Sequence, residues 1–307
     1  MRTVAAIDCG TNAVRMLVAD IDHDGSVRER ARVMRIVRLG EGVDRSGQFS
    51  ESALERTFVA LEEYQDLISS LGAERVRFVA TSASRDVSNR QQFVDGVRAR
   101  LGVDPEVISG IEEAELSFAG AILGLPPGRA ELPALVVDIG GGSTEFVIGT
   151  DLPVASASVD IGCVRMTERH LRSDPPTAEE IAAAGRDIED AVAVALDQVP
   201  PAGAASLVGL AGTVTTVSAM AMDLPAYDAS VLHGSVISAP DVARVTAQLL
   251  AMTRAERAAL PFMHPGRVDI IGGGAMILDA IVRAGSCVEV VVSETDILDG
   301  IVYRMRP

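Results

Sequence analysis

The sequence contains no lysine; all 27 of its Lys-plus-Arg positions are arginine. That excludes mechanisms built on a side-chain amine, among them the P-loop lysine and Schiff-base chemistry. Tryptophan is absent as well, and three tyrosines and seven phenylalanines supply all the aromatic rings. Stacking platforms for bases are therefore scarce, and sequence-tolerant nucleic-acid binding is not expected. Positive charge is outnumbered: 43 acidic residues set the formal net charge at −16. Such a surface repels nucleic acid and anionic membranes. Screening over about 8 Å still leaves a local site of arginine and backbone N–H groups able to hold phosphate. No apolar run reaches the length of a membrane span, and the first strand meets Asp8 too early for a signal peptide. Cys9, Cys163 and Cys287 are far apart, odd in number and without C-x-x-C spacing. They read as reduced thiols of a soluble cytoplasmic protein, with neither a disulfide frame nor zinc.

What is present is an α/β alternation in a chain of 307 residues, long enough for two cores. Val4–Asp8 and Val14–Asp20 flank a Gly-Thr-Asn turn and read as a hairpin. A helix follows from about Glu51, with Leu54, Phe58, Leu61, Leu67 and Ile68 on one face and Gly72 as its stop. Val76–Ala80 reads as a strand, Phe93, Val97 and Leu101 mark a second helix, and Glu112–Leu123 a third. LPPGRAELP at 125–133 interrupts regular structure and suggests a connection between domains. The opening pattern then recurs, with Leu135–Val137 leading through Asp138 and a glycine run into Phe146–Ile148. Thr177 with Glu180 forms a capping-box pattern before a long Ala-rich helix, and Ser238 with Asp241 marks a similar start. Leu207–Leu210 and Val288–Val292 are strand candidates, and Ile297–Met305 reads as a closing helix.

Five segments carry chemistry. In AAIDCGTNAVRMLVAD (5–20) a strand ends at Asp8 and turns through Gly10, Thr11 and Asn12, exposing backbone N–H groups and two polar side chains to phosphate oxygens. In VVDIGGGSTEFVIG (136–149), Gly140, Gly141 and Gly142 permit close approach of a ligand. Ser143 and Thr144 add hydroxyls there, and Asp138 and Glu145 are hard oxygen ligands suited to Mg²⁺. SGIEEAELSFAGA (109–121) places Glu112, Glu113 and Glu115 at a helix start, where they either cap the dipole or supply a base; the residues alone do not choose among them. Arg85 in ATSASRD (80–86) is a phosphate-clamp candidate. LVGLAGTVTTVSAM (207–220) sets Gly212 and Thr213 at a strand-to-helix turn that suits either an anion or close helix–sheet packing. His23, His170, His233 and His264 lack metal spacing and read as structural or surface residues, with His233 and His264 the nearest to a site.

Together these segments resemble the exopolyphosphatase and guanosine-pentaphosphate phosphohydrolase family, within the actin-like and sugar-kinase superfamily. The resemblance extends through VDIGCVRMTERHL (159–171), HPGRVDIIGGGAMIL (264–278) and VSETDILDGIVYRM (292–305). It implies an α/β fold of two actin-like (ribonuclease H-like) domains, 1–124 and 125–307, with the active site in an interdomain cleft. The closing helix at about 295–307 is expected to pack back on the N-terminal domain. The resemblance assigns Glu113 as catalytic base, Asp138 and Glu145 as holders of Mg²⁺ or Mn²⁺, and Arg85 as a phosphate contact beside the two glycine turns. The implied reaction is in-line attack by water on the terminal phosphorus of inorganic polyphosphate. Guanosine pentaphosphate is the alternative substrate; a small-molecule kinase and a non-catalytic alarmone or polyphosphate sensor are the rival classes. The resemblance further implies a homodimer of the short, two-domain form. Two departures stand out. Ala13 replaces a Ser or Thr common after Asn12, and Glu115 replaces a common arginine, which is expected to make the site's entrance more acidic.

Overall fold

The alternation along the first strand determines how the first sheet is covered. In β1 (Arg2–Cys9), Ala5, Ile7 and Cys9 face one side and Val4 and Ala6 the other, and all five are buried. A strand buried on both faces needs helices on both faces. On the first side Ala5, Ile7 and Cys9 share a core with Leu54, Leu61, Tyr64 and Ile68 of helix Glu51–Leu71 and with Phe93 and Val97 of helix Arg90–Leu101. On the other, Val4 and Ala6 pack with Leu116 of helix Gly110–Gly124 and with Ile297, Leu298, Ile301 and Val302 of helix Ile297–Tyr303. Helix 51–71 begins as its sequence predicts, with the Ser50 hydroxyl accepting from Ala53 N–H, and ends at Gly72 with φ +68°.

The computed structural model describes residues 1–306 and divides into two units. Unit 1 is Met1–Gly120 with the chain from Ile297 onward; unit 2 is Ala121–Asp296. The division falls inside helix 110–124, and the irregular stretch 125–133 lies within unit 2. The unit 1 sheet adds β2 (Ala13–Ile21), β3 (Val27–Ile36), β4 (Arg75–Ala80) and β5 (Glu106–Val107) in the order β3-β2-β1-β4-β5. β1, β2 and β3 form an antiparallel meander, whereas β4 and β5 continue parallel to β1.

Unit 2 repeats this plan with β6 (Ala134–Ile139), β7 (Thr144–Gly149), β8 (Pro153–Val159), β9 (Ser206–Leu210), β10 (Val236–Ser238) and β11 (Glu289–Val292). Its order is β10-β11-β9-β6-β7-β8, so β8-β7-β6-β9-β11 matches the first sheet strand for strand. Thr177 and Glu180 form the expected capping box, and Ala184, Ile188 and Val192 of helix Ala178–Gln198 join Leu135, Val137 and Phe146 in the second core. The result is an α/β chain in which the ribonuclease H-like, actin-type arrangement occurs twice. Among the described residues, no helix is long and apolar enough to cross a membrane.

Gly300 shows how tightly the closing helix sits. A Cβ at this position would overlap the carbonyl oxygen of Leu116 in helix 110–124. Gly300→Ala must therefore push the two helices apart. The expected outcome is a loss of roughly 1–3 kcal/mol, measured by urea denaturation, with the far-ultraviolet spectrum unchanged.

Candidate active site

The two hairpins that begin each sheet close in the same way. Gly10 N–H donates to Ala13 O and Gly140 N–H to Ser143 O, each at 3.0 Å. The residue opposite Asp8 across the ladder is Arg15, and the residue opposite Asp138 is Glu145. Directly opposed residues share a sheet face. In unit 1 this juxtaposes opposite charges: Arg15 donates to Asp8 Oδ2 from Nη2 at 2.5 Å and from Nε at 3.0 Å. In unit 2 it juxtaposes two carboxylates.

Asp8 lies on the face of β1 that Val4 and Ala6 occupy, the face covered by helix 110–124. Of the three glutamates that open this helix, Glu113 is the buried one, at 9% exposure, and its Oε2 accepts from Arg85 Nη1 at 2.7 Å. Glu112 pairs with Arg77 at 3.4 Å and Glu115 with Arg304 at 3.0 Å. Glu113 and Glu115 are about 200° apart around the helix. The acidity expected at the site from Glu115 is thus directed to an arginine of the closing segment instead. Arg85 ends a short helix, Ser82–Arg85, immediately after β4, and its Nη1 also donates to Ile108 O at 3.2 Å. Because β4 lies parallel beside β1, with Thr81 N–H donating to Cys9 O at 3.2 Å, the Gly10–Asn12 turn and the Arg85 segment leave neighbouring strand ends.

A second loop braces that turn. Val37 and Arg38 N–H donate to Asn12 O at 3.1 and 2.9 Å, and Gly40 N–H to Thr11 O at 2.8 Å. A Cβ on Gly40 would overlap the Thr11 methyl. The sequence reading passed over this loop and the β3 strand before it. β3 is an edge strand whose arginines hide its alternation; Arg28 and Arg30 reach across to buried Asp20.

In unit 2, Asp138 and Glu145 are buried at 8% and 1% exposure, and Glu145 Oε1 accepts from Ser158 Oγ at 2.8 Å. Like charges directly opposite one another in a ladder repel, and a divalent cation would offset that repulsion. Among the described residues no three His, Cys, Asp or Glu side chains group as a metal cage. Two carboxylates fit Mg²⁺ nonetheless, because this ion commonly takes one or two carboxylates and completes its shell with water and substrate phosphates. The carbonyls of the glycine turn hold the next helix, Cys163–His170. Gly140 O accepts from Cys163 N–H at 3.0 Å, Gly141 O from Val164 N–H at 2.9 Å, and Gly142 O from Arg165 Nε at 2.8 Å. Ser143 is buried, and the Thr144 hydroxyl is committed to Ile161 O at 2.6 Å. Thr144 thus straps the hairpin in place and has no proton to offer an oxyanion in this arrangement.

Gly212 and Thr213 open helix Ala211–Ala221 after β9, behind Ala211 in the left-handed region at φ +67°. Strain of this kind costs about 1–2 kcal/mol. A Cβ on Gly212 would overlap the Arg267 guanidinium, which rests there and donates from Nη1 to Thr216 Oγ1 at 3.2 Å. Among the described residues Arg267 has no carboxylate partner, although the sequence is rich in acids. Thr213 packs against Gly274 and bonds to Cys163. Burial pushes the Cys163 thiol up to about 11 against the opposing pull of Arg267 and Thr213. His264 Nδ1 accepts from Gly266 N–H at 3.1 Å, and burial, then Arg267, lowers its pKa. Sequence reasoning quoted the Arg267 segment without singling out the arginine. The available signal was a cation among glycines in a chain that has no lysine.

Two glycines separate stability from binding. Gly162 faces the backbone of Gly141 and Gly142, which cannot yield, whereas Gly212 faces the far end of a flexible side chain. Gly162→Ala is expected to lower stability by about 2 kcal/mol or more, read as a fall in Tm. Gly212→Ala should leave Tm nearly unchanged and weaken the binding of inorganic pyrophosphate, read by calorimetry, because it displaces Arg267.

Comparison with known proteins agrees with this architecture. Residues 17–307 match the model of the Ppx/GppA phosphatase family. Exopolyphosphatase 2 of Mycobacterium tuberculosis is 50% identical over 314 residues, covering 98% of each chain. A guanosine-5'-triphosphate,3'-diphosphate pyrophosphatase of Photobacterium profundum is 29% identical over 98% of this chain but 59% of its own length. Among solved structures, an exopolyphosphatase from Cytophaga hutchinsonii superposes with a TM-score of 0.90 at 27% identity, covering 99% of this chain and 97% of that one. A twice-used sheet plan, full-length identity of 50% to one relative and a family match over nearly the whole sequence lead to one statement: this chain belongs to the Ppx/GppA phosphatase family.

Proposed function

We propose that this protein is an exopolyphosphatase that releases terminal phosphate from inorganic polyphosphate, with Glu113 as the general base. The observation that carries the reading is the Arg85–Glu113 pair at 2.7 Å, formed behind the Asp8 turn in a phosphatase-family chain. A phosphate group competes for the guanidinium of Arg85. As Arg85 turns to the phosphate oxygens, the Glu113 carboxylate is released to take the proton of the attacking water. Backbone N–H groups of the Gly10–Asn12 and Gly140–Thr144 turns, other than those of Gly10 and Gly140, which close the turns, together with Arg267 above Gly212 and Thr213, stabilise charge on the equatorial oxygens. Asp8 acts through Arg15, which it holds at the turn. Asp138 and Glu145 would hold Mg²⁺ or Mn²⁺, whose charge offsets that of the phosphate oxygens.

Identity of 50% to an exopolyphosphatase, against 29–31% to guanosine-5'-triphosphate,3'-diphosphate pyrophosphatases, favours polyphosphate over guanosine pentaphosphate as the preferred substrate. On the family resemblance the reading includes a cytoplasmic location and a homodimer. In a phosphate-release assay with Mg²⁺, Glu113→Gln should lower kcat by about 10²–10⁴-fold while tripolyphosphate binding changes little. Full activity in this variant sinks the role of Glu113, and EDTA-resistant turnover sinks that of Asp138 and Glu145.

A further inference from the structure

Tyr227, one of three tyrosines in the chain, stands beside Arg267 rather than in a core. Its ring centroid is 6.0 Å from the Arg267 Cζ. Its hydroxyl lies 2.5 Å from Glu294 Oε1 and 3.0 Å from Thr215 Oγ1. Burial first, then the Glu294 carboxylate, pushes the phenol up to about 12. It therefore keeps its single proton at neutral pH, and the carboxylate is the acceptor. Glu294 is itself anchored: its N–H donates to His233 Nδ1 at 3.2 Å, and His233 Nε2 contacts Gly124 O at 3.1 Å. An Nδ1 that accepts leaves Nε2 as the protonated nitrogen, so both bonds are satisfied by one neutral tautomer.

The Arg267 guanidinium, by contrast, has among the described residues a single hydrogen-bond partner, Thr216, and its flat contact with Gly212. A long arginine held at one atom loses its placement easily, and fixing it only when ligand arrives weakens binding. We propose that Tyr227 is a positioning residue for Arg267. Glu294 fixes the phenol, and the face of the ring keeps the guanidinium over the Gly212 turn, ready for phosphate oxygens. The inference rests on the reading of Arg267 as a phosphate contact. It differs from two simpler accounts, in which Tyr227 only fills space or Glu294 serves as a counter-ion for Arg267.

The test compares wild type, Tyr227→Phe, Glu294→Gln and Glu294→Ala in tripolyphosphate hydrolysis and in calorimetric binding of inorganic pyrophosphate, with Tm recorded for each. Tyr227→Phe and Glu294→Ala are expected to raise KM and weaken pyrophosphate binding roughly two- to tenfold, the span of one lost hydrogen bond. kcat should stay within about twofold. Glu294→Gln should match wild type, because the amide carbonyl accepts the same phenolic proton. Tyr227→Phe equal to wild type in both assays, or Glu294→Gln behaving like Glu294→Ala, overturns the proposal. Tyr227→Phe removes one oxygen and stays informative if Glu294→Ala fails to fold. A wild type that binds pyrophosphate without turnover removes the hydrolase reading and leaves the binding series to judge Tyr227; a wild type that does not bind pyrophosphate overturns the inference about Tyr227.

Discussion

The register of the opening hairpin governs what surrounds it in each unit. In each, one backbone hydrogen bond from a glycine N–H closes a turn of the same length. That closure sets which residue stands opposite the strand-ending aspartate. A slip of one residue would turn every neighbouring side chain to the other face. It would separate Asp8 from Arg15 and Asp138 from Glu145, and would move Val4 and Ala6 out of the core they share with helix 110–124. The parallel partners β4 and β9 then bring the Arg85 segment and the Gly212 turn alongside the hairpins, because parallel neighbours end at the same edge of a sheet.

From this common frame the two units diverge in charge. The first places an arginine across from its aspartate and is locally neutral; the second places a glutamate there and concentrates negative charge beneath a glycine turn. One residue in each hairpin thus gives a duplicated architecture two different charge pairings. Under the proposed function the phosphate-facing role falls to amides and arginines in both units; of the two hairpins, the second sets two carboxylates opposite one another.

Much of this was legible in the sequence where local rules dominate. The Asp-to-glycine turns, the Thr177 cap and the Gly72 stop all follow from near-neighbour chemistry. Which of Glu112, Glu113 and Glu115 is buried was not, since that depends on partners 35, 28 and 189 residues away, respectively. β3 was missed because a charged edge strand carries no clean hydrophobic alternation. Thr144 looked like a ligand hydroxyl until the structure gave its proton to Ile161, and Arg267 showed itself only through what surrounds it.

The helix at Ile297–Tyr303 belongs to the core that the first strand begins. Residues separated by nearly the whole sequence must meet before that core is sealed, which is the slow kind of contact to form. On the ribosome, β1 therefore emerges long before the helix that covers one of its faces. Until then Val4, Ala6 and Leu17 are covered on that side by helix 110–124 without the closing helix. Termination between helix 110–124 and Ile297 leaves that face covered by helix 110–124 alone, without Ile297, Leu298, Ile301 and Val302, and so lowers the stability of the unit.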